Sequence, residues 1–313
     1  MNNVLSIITP HKDDVDGLMA ISIMLKNQSS TCWEWIIVDD FSNEENKFKI
    51  KNETDFKVDK IKIVYNKENL KAAKSRNIGF NFATGNNIVF LDSDDEITSK
   101  FVENRLMNID DFKVYLNFKV RDINGNIQNF SNIQSDFLNN FLKSKFAWQT
   151  TAVLWNKKYL QEIGGFNQEL ILLEDIEIAL VALNLSNKYE VVTDNEIDYF
   201  YNLKPIDIKK RTFENVSKSV DIFINSICKK CDLTQLKKNY LSSYYFLSIR
   251  YFCRSREFNK TNLVNKNLKT IYRNNCINTF QYSIGTIIIK LFTLKILNSR
   301  QFLKLNRYFF KVE

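Results

Sequence analysis

The segment that most constrains how this chain folds is residues 86–95, NNIVFLDSDD. Residues 88–91 form an unbroken apolar run with β-branched and aromatic members, which is typical of a strand buried on both faces of a parallel sheet. The run is followed at once by Asp92, Ser93, Asp94 and Asp95. Carboxylates this close repel one another and favour a divalent cation, because Mg²⁺ and Mn²⁺ prefer oxygen ligands. An acidic, solvated turn is the alternative interpretation.

Apolar strands and amphipathic helices alternate from residue 4 to residue 92. The predicted strands are 4–9, 33–40, 61–65 and 88–91, and the predicted helices run from Asp13 or Asp14 to about Asn27 and from Asn69 to Thr84. Pro10 is expected to end the first strand. The expected inward-facing residues of the second helix are Leu70, Ala73, Ile78 and Phe82. This alternation predicts an α/β fold with a mostly parallel sheet, and two of its strands end in aspartates at the edge where such sheets bind ligands.

The pattern changes after residue 95. The predicted elements are a hairpin at 112–132 turning at 124–126, a short helix at 136–145, a strand at 148–155, helices at 156–163 and 174–185, and a strand at 197–201. From residue 212 onward helical periodicity and basic residues dominate. We therefore place a domain boundary near 204–210, which gives a first domain at 1–208 and a mainly helical one at 209–313.

The charge distribution separates these two regions. The chain has a net charge of +8, but residues 1–208 carry 23 Lys and Arg against 31 Asp and Glu, whereas residues 209–313 carry 21 against 5. A strongly basic last third suits an anionic membrane surface, acidic substrates or nucleic acid. It lacks a recognisable nucleic-acid-binding module, so no specific nucleic-acid partner is expected.

Cysteine usage and hydropathy exclude several classes of protein. An odd number of cysteines, 5, does not indicate a disulfide framework, and the single CxxC at Cys228 and Cys231 has no second pair and no nearby histidine for a zinc site. We see no signal peptide and no apolar segment long enough to span a membrane. A reducing, cytoplasmic location is therefore expected.

Four stretches resemble the inverting glycosyltransferases of family 2, which have a GT-A fold and of which the bacterial surface-polysaccharide type is the most similar. They are SIITP at 6–10, IIVDDFS at 36–42, AKSRNIGFNFATGNNIVFLDSDD at 73–95, and IGGFNQEL with LEDIEIAL within 163–180. They occur in family order over roughly residues 4–185, and the last third carries no resemblance that we can name.

The resemblance implies a site for a nucleotide-sugar donor, expected to be a UDP-sugar. In the family the last aspartate of the DxD motif holds Mn²⁺ or Mg²⁺, here Asp94, and Asp92 helps with the metal or the ribose. The metal stabilises the leaving diphosphate as a Lewis acid. The other residues expected to contact the nucleotide are Thr9, Pro10, Asp39, Arg76, Asn77 and Ser93. His11, the only histidine, departs from the family's usual Tyr-Asn after the first strand.

The resemblance also implies how the sugar is transferred. The family's ED motif matches Glu174 and Asp175, with Asp175 as the base that deprotonates the acceptor hydroxyl and Glu174 supporting the acceptor. The expected acceptor is a saccharide, free or linked to undecaprenyl diphosphate. Trp148 and Phe166 are either stacking faces for sugars or core aromatics. The alternatives are a nucleotidyltransferase and a non-enzymatic protein that binds nucleic acid or an anionic surface.

The basic C-terminal end has two interpretations. Within 287–310, apolar residues mix with basic ones, and the four basic residues Arg300, Lys304, Arg307 and Lys311 are spaced to share one helical face. One interpretation is an amphipathic helix on the inner face of the cytoplasmic membrane, as in peripheral membrane proteins. The other is a helix packed on the protein with a solvated basic edge.

Overall fold

The computed structural model describes residues 4–130, 135–204 and 211–311. The chain forms two compact units. The sheet unit comprises Met1–Ile133, Trp148–Gln168 and Ser186–Pro205, and the helical unit comprises Gln134–Ala147, Glu169–Leu185 and Ile206–Glu313. Of the predicted boundary at 204–210, only Lys204 lies within the described residues. The division at residue 208 stays a prediction.

The strands and helices alternate as predicted over the first third of the chain. In chain order the strands are β1 Leu5–His11, β2 Trp33–Asp39, β3 Ile61–Tyr65, β4 Asn87–Phe90, β5 Glu96–Ile97, β6 Phe112–Tyr115, β7 Lys119–Arg121, β8 Ile127–Asn129, β9 Val153–Asn156, β10 Tyr189–Val192 and β11 Tyr199–Asn202. The helices are α1 Val15–Lys26, α2 Glu44–Asn52, α3 Lys71–Phe82, α4 Phe137–Leu142, α5 Lys157–Glu162, α6 Glu174–Leu185, α7 Phe213–Lys230, α8 Gln235–Tyr240, α9 Ser242–Ser255, α10 Thr261–Arg273, α11 Thr279–Thr293 and α12 Ser299–Phe309.

Among the described residues, seven strands form the main sheet, in the order β10-β6-β9-β4-β1-β2-β3. The strands β4, β1, β2 and β3 are parallel, whereas β9 runs antiparallel to both β4 and β6. A second sheet has the order β5-β11-β7-β8, with the predicted turn at 124–126 between β7 and β8. The predicted α/β class with a mostly parallel sheet is confirmed.

The first strand is longer than predicted, because Pro10 does not end it. β1 continues to His11 and pairs with β2, with Pro10 opposite Val38. On its other side β1 pairs with β4 only as far as Ile8 and Phe90. The missing N–H of proline therefore falls where no neighbouring strand would accept its hydrogen bond.

Helix α3 packs on the sheet through small residues rather than through large apolar ones. A Cβ at Gly79 would lie 2.5 Å from Cγ2 of Ile8, so the helix backbone approaches β1 closely. Ala73 is buried as predicted, but Phe82 is 39 % exposed and its predicted inward position is wrong. Phe82 is the last residue of α3, and the buried residue at this end of the helix is its neighbour Ala83.

The remaining differences from prediction concern short elements. Asp14 caps α1 by accepting from the backbone N–H of Gly17, one of the two caps expected. The predicted strand at 148–155 is limited to β9, and the hairpin at 112–132 is limited to β7 and β8, with 131–132 outside the described residues. Helix α2 and strands β5 and β10 were not predicted; α2 buries only Ile50, so it has no apolar periodicity to detect.

The helical unit has its own core of aromatic residues. Phe292 and Phe302 stack with ring centroids 4.0 Å apart, which joins α11 to α12. The predicted segment 287–310 is therefore two helices, since α12 begins after Asn298, whose side chain caps it in a reciprocal pair with Gln301. Within the described ranges, no helix combines the length and apolar character that crossing a membrane requires.

Candidate functional site

The ends of β1 and β2 bring His11 and Asp39 side by side. They are partners in the parallel register, and Nε2 of His11 lies 3.9 Å from Oδ2 of Asp39. Burial lowers the pKa of His11 and outweighs the opposing charge of Asp39, so the imidazole is neutral and the two do not form an ion pair.

These two side chains leave polar atoms unsatisfied. One carboxylate oxygen of Asp39 accepts from the backbone N–H of Ser42 at 2.7 Å. Its other oxygen and both ring nitrogens of His11 are buried and have no hydrogen-bond partner among the described residues. Buried polar groups are nearly always paired, so unsatisfied atoms at a strand end indicate a place where a ligand or water binds.

The neighbouring Asp40 has a structural role. Its carboxylate accepts from the backbone N–H groups of Leu70 and Lys71, at 2.6 and 2.9 Å, and from the side chain of Asn66. It therefore fixes the amino end of α3, and the two aspartates that end β2 serve different purposes.

Arg76 projects from α3 toward the acidic segment. Its guanidinium donates to Oδ1 of Asp92 at 2.7 Å and lies over the ring of Phe166, 5.2 Å from the centroid. The side chain is 6 % exposed, whereas that of Asp92 is 33 % exposed. Arg76 thus holds one oxygen of Asp92 and leaves the carboxylate accessible to a ligand.

Asn77 is engaged by the loop after α5. Its amide nitrogen donates to the carbonyl of Phe166 at 2.8 Å, and its oxygen accepts from the backbone N–H of the same residue at 3.0 Å. A Cβ at Gly165 would lie 2.7 Å from Oδ1 of Asn77, so this approach needs glycine. Asn77 therefore anchors the loop that carries Phe166, the residue whose ring Arg76 contacts. A contact between Asn77 and the nucleotide stays a prediction.

The residues predicted at the end of β1 differ in exposure. Thr9 is fully buried, and its hydroxyl accepts from the indole N–H of Trp35 at 2.9 Å. Pro10 is half-buried. The Thr9 side chain is buried and already hydrogen-bonded in the core. A contact of Thr9 or Pro10 with the nucleotide would therefore come from their backbone or from the Pro10 ring.

Asp94 and Ser93 contact residues that the sequence did not connect with them. The ammonium of Lys204 lies 3.3 Å from Asp94 and 3.5 Å from Asp14. Asp14 also accepts from the hydroxyl of Ser93 at 2.6 Å. Burial raises the pKa of Asp94, and the charge of Asp92 raises it further, whereas the charge of Lys204 acts in the opposite direction.

Asp95 does not belong to this accessible cluster. It is 2 % exposed, accepts from the hydroxyl of Thr151 at 2.7 Å, and accepts from the backbone N–H of Asn202 at 3.3 Å. Burial raises its pKa well above the usual range, with a further contribution from the charge of Asp92. Asp95 thus joins the acidic segment to β11 and is not placed to bind a ligand.

The chemistry of Asp92 and Asp94 fits a hard divalent cation. In the described part of the chain no group of three or more His, Cys, Asp or Glu side chains is arranged to hold a metal. Mg²⁺ commonly binds through one or two carboxylates together with substrate phosphates and water, and these two carboxylates are partly exposed. Such a cation would offset the repulsion between the carboxylates of Asp92 and Asp94.

The predicted catalytic residues lie in the helical unit, at the start of α6. Glu174 is buried and Asp175 is half-buried, and one oxygen of Asp175 accepts from the backbone N–H of Ile176 at 2.9 Å. Leu173, just before the helix, has a φ of 71°, so the chain enters the motif through a left-handed residue. The predicted helix at 174–185 is confirmed.

Glu177 holds this helix in place. It is fully buried, and its carboxylate accepts from the hydroxyl of Ser226 at 2.5 Å and from the ammonium of Lys230 at 2.9 Å, both on α7. Removing one member of a buried charged pair is costly, so this contact fixes the amino half of α6.

Sequence reasoning did not place three residues in the candidate site that the structure brings close to the acidic segment or to Asp39. Asp14 was expected only as a helix cap, Lys204 only as part of a boundary, and His11 was assigned no role. The one signal available was that His11 directly follows Thr9 and Pro10, at the end of the first predicted strand. Of the open alternatives for Trp148 and Phe166, burial to 6 % and 2 % favours core aromatics.

Comparison with known proteins identifies the family. The family model described as Glycosyl transferase family 2 matches residues 6–164. The chain is 28 % identical over 224 residues to the UDP-Glc:alpha-D-GlcNAc-diphosphoundecaprenol beta-1,3-glucosyltransferase WfgD of Escherichia coli, covering 70 % of this chain and 85 % of that protein. It is 35 % identical over 104 residues to the putative teichuronic acid biosynthesis glycosyltransferase TuaG of Bacillus subtilis (strain 168), covering 33 % and 40 %.

A solved structure supports the fold. The crystal structure of S. aureus TarS 1-349 superposes with a TM-score of 0.64 at 16 % identity, covering 99 % of this chain and 92 % of that one. The predicted GT-A architecture is confirmed by this likeness. Because the family model spans more than half of the 313 residues, the chain belongs to glycosyl transferase family 2 and is a glycosyltransferase.

Proposed function

We propose that this glycosyltransferase moves a sugar from a UDP-sugar to a saccharide carried on a lipid diphosphate, with inversion and with Mn²⁺ or Mg²⁺, in the synthesis of a surface polysaccharide. The observation that carries the proposal is the set of groups at the ends of the parallel strands. There the partly exposed carboxylates of Asp92 and Asp94 follow β4, and the unsatisfied atoms of His11 and Asp39 end the neighbouring strands.

The relatives supply the substrate class. WfgD is named for UDP-Glc and for an acceptor on diphosphoundecaprenol, and it is matched over most of its length. TuaG is named for teichuronic acid biosynthesis. TarS has been crystallised with UDP and with UDP-GlcNAc. WfgD and TarS favour a UDP-linked donor, and TuaG favours a cell-surface polymer as the product.

Each residue has a role in this proposal. Asp92 and Asp94 would hold the metal, which when bound supplies positive charge to the leaving diphosphate. Arg76 orients Asp92 through its hydrogen bond. Asp39 and His11 offer unsatisfied acceptors, and in the imidazole one donor, to the nucleoside. Asp175 takes the proton from the acceptor hydroxyl as the new bond forms.

The first test is a thermal-shift panel with UDP, GDP, CDP and dTDP, each with and without Mn²⁺. A ligand at 100 times its Kd stabilises the folded protein by about 2.7 kcal/mol, so UDP with Mn²⁺ is expected to raise the Tm by several degrees. In Asp94→Asn the metal-dependent part of this rise is expected to be lost. The amide keeps the shape of the carboxylate side chain, and Lys204 keeps its contact with Asp14.

The matched control is Asp110→Asn, which makes the same chemical change at an exposed residue of the sheet unit. It is expected to respond like the unmodified protein. Equal shifts with all four nucleotides would contradict the UDP proposal. A UDP shift that does not need Mn²⁺ would contradict the metal proposal and leave the donor proposal standing.

We also propose that α11 and α12 dock the protein on an anionic membrane, at the inner face of the cytoplasmic membrane. Arg300, Lys304, Arg307 and Lys311 are all exposed. Phe280 and Ile287 on α11 and Leu294 directly after it recur every seven residues, and each is more than half exposed. An anionic bilayer attracts exposed basic side chains through its headgroups and takes up exposed apolar side chains at its boundary, so both sets suit such a surface.

The test is sedimentation with vesicles that contain phosphatidylglycerol. Each basic residue near such a surface contributes about 1 kcal/mol, so reversing Arg300, Lys304 and Arg307 to Glu is expected to weaken binding by at least about 100-fold. The control reverses three exposed lysines of the sheet unit, Lys57, Lys67 and Lys158. Truncation is a poorer test, because α11 and α12 also bury core residues. Equal binding by both variants would contradict the proposal.

A further inference from the structure

Helices α7 and α10 of the helical unit are joined along their length by polar side chains. The pairs are Ser217 with Asn267, Asp221 with Thr270, and Asn225 with Asn274. From one pair to the next the residue number rises on both helices. The two helices therefore run parallel, and these hydrogen bonds set their register. The next pair in the series is Cys228 and Cys276.

The two thiols of this pair are close and lie at the ends of their elements. Their Sγ atoms are 4.0 Å apart, and both cysteines are free. Cys228 is half-buried in the last turn of α7, and Cys276 is 1 % exposed in the connection after α10. A disulfide needs about 2.05 Å between the sulfurs, so an approach of about 2 Å at two element ends would form it.

The surroundings make Cys228 the more reactive thiol. Its hydrogen bond with Cys276 lowers the pKa of Cys228, and the positive charge of Lys238 acts in the same direction. Burial raises the pKa of Cys231 to about 12, so this other cysteine of the CxxC stays protonated and unreactive. Accessibility and a nearby second thiol are the features of cysteines that oxidise reversibly.

We propose that Cys228 and Cys276 are a peroxide-sensitive pair that forms a reversible disulfide. The Cys228 thiol ionises, its thiolate attacks hydrogen peroxide, and the O–O bond breaks to give a sulfenic acid on Cys228 and hydroxide, which takes up the proton that the thiol released and becomes one water. Cys276 then attacks that sulfur, the S–O bond breaks, and hydroxide takes the Cys276 proton to leave as a second water. Two thiols and one peroxide thus give one disulfide and two waters, and a dithiol reverses the bond.

The location of the pair gives the modification a consequence. Ser226 and Lys230, which hold Glu177 of α6, lie two residues before and two after Cys228. Disulfide formation would draw the end of α7 toward Cys276 and so displace the turn that holds α6. Helix α6 begins with the ED motif. A link between residues 48 positions apart also restricts the unfolded chain, so the oxidised protein is expected to melt at a higher temperature.

The experiment uses the full chain with Cys32→Ser, because Cys32 is exposed and would also react with peroxide. After brief treatment with hydrogen peroxide, the protein is unfolded, alkylated with N-ethylmaleimide and weighed. We expect a loss of two hydrogens, two fewer alkylated cysteines, and recovery of both with dithiothreitol. Trypsin cuts after Lys229 and Lys230, which separates Cys228 from Cys231, so the linked peptides identify the partner.

The variants decide the assignment. Cys228→Ser and Cys276→Ser are each expected to abolish the linkage, whereas Cys231→Ser, at the end of the same helix, is expected to retain it. Complete alkylation after peroxide would overturn the proposal, and so would a Cys228–Cys231 linkage. The peptide map is made on protein in which the pair is intact, so it does not depend on how the serine variants fold.

Discussion

Replacing Asp175 with Asn is expected to lower the turnover number by about 10²–10⁴-fold, the usual contribution of a positioned general base. An amide cannot take the acceptor proton, but its oxygen can still accept from the backbone N–H of Ile176, as the carboxylate does. The start of α6 should therefore keep its structure. UDP release is measured with a UDP-sugar donor and a short-chain lipid diphosphate acceptor.

The control for this variant is Asp232→Asn, the same change at an exposed residue of the helical unit. It is expected to keep full turnover. Asp175→Asn should also keep the thermal shift caused by UDP and Mn²⁺, because the residues proposed to bind the donor are unchanged. Turnover within a few-fold of the unmodified enzyme would show that Asp175 is not the base, whereas loss of the thermal shift as well would indicate a structural defect.

The parts of the site that local pattern could predict are those that follow directly from a strand. Residues 88–91 are buried on both faces as their composition requires, and the polar residues after them lie at the sheet edge. Asp39 was predicted in the same way at the end of β2. In both cases the apolar run predicts the strand, and the end of the strand places the next polar side chain at the edge of the sheet.

The contacts between distant segments could not be predicted in this way. Lys204 reaches Asp94 because β11 pairs with β5, which has only two residues and no detectable pattern. Asp95 and Asp94 are identical in type and adjacent in sequence, yet one is buried against Thr151 and the other is partly exposed. Which aspartate binds a ligand depends on packing that a single sequence does not show.

Replacing Arg105 with Met is expected to destabilise the sheet unit by about 3–5 kcal/mol, the usual cost of leaving one member of a buried ion pair without its partner. Arg105 and Asp198 are both fully buried, and the guanidinium forms two hydrogen bonds with the carboxylate. The guanidinium also lies over the rings of Phe101 and Tyr115, 3.8 and 4.4 Å from their centroids. Methionine fills part of this space but leaves the Asp198 charge buried.

This pair also supports the candidate site. The carbonyl of Asp198 accepts from the backbone N–H of Thr98 at 2.8 Å, at the point where β5 and β11 begin to pair. The same strand β11 carries Asn202, whose side chain donates to the carbonyl of Asp94 at 2.6 Å. We therefore expect Arg105→Met to weaken UDP binding as well as stability, although Arg105 has no predicted contact with the nucleotide.

Tryptophan fluorescence during urea unfolding measures this effect on the sheet unit separately, because all 4 tryptophans lie in it. The double variant Arg105→Met with Asp198→Leu is the decisive comparison. It removes both charges, so it is expected to recover a large share of the lost stability, since replacing a buried ion pair with apolar residues is often nearly neutral. If the single variant were as stable as the unmodified protein, or the double variant were less stable than the single one, the buried charge of Asp198 would not be the cause of the instability.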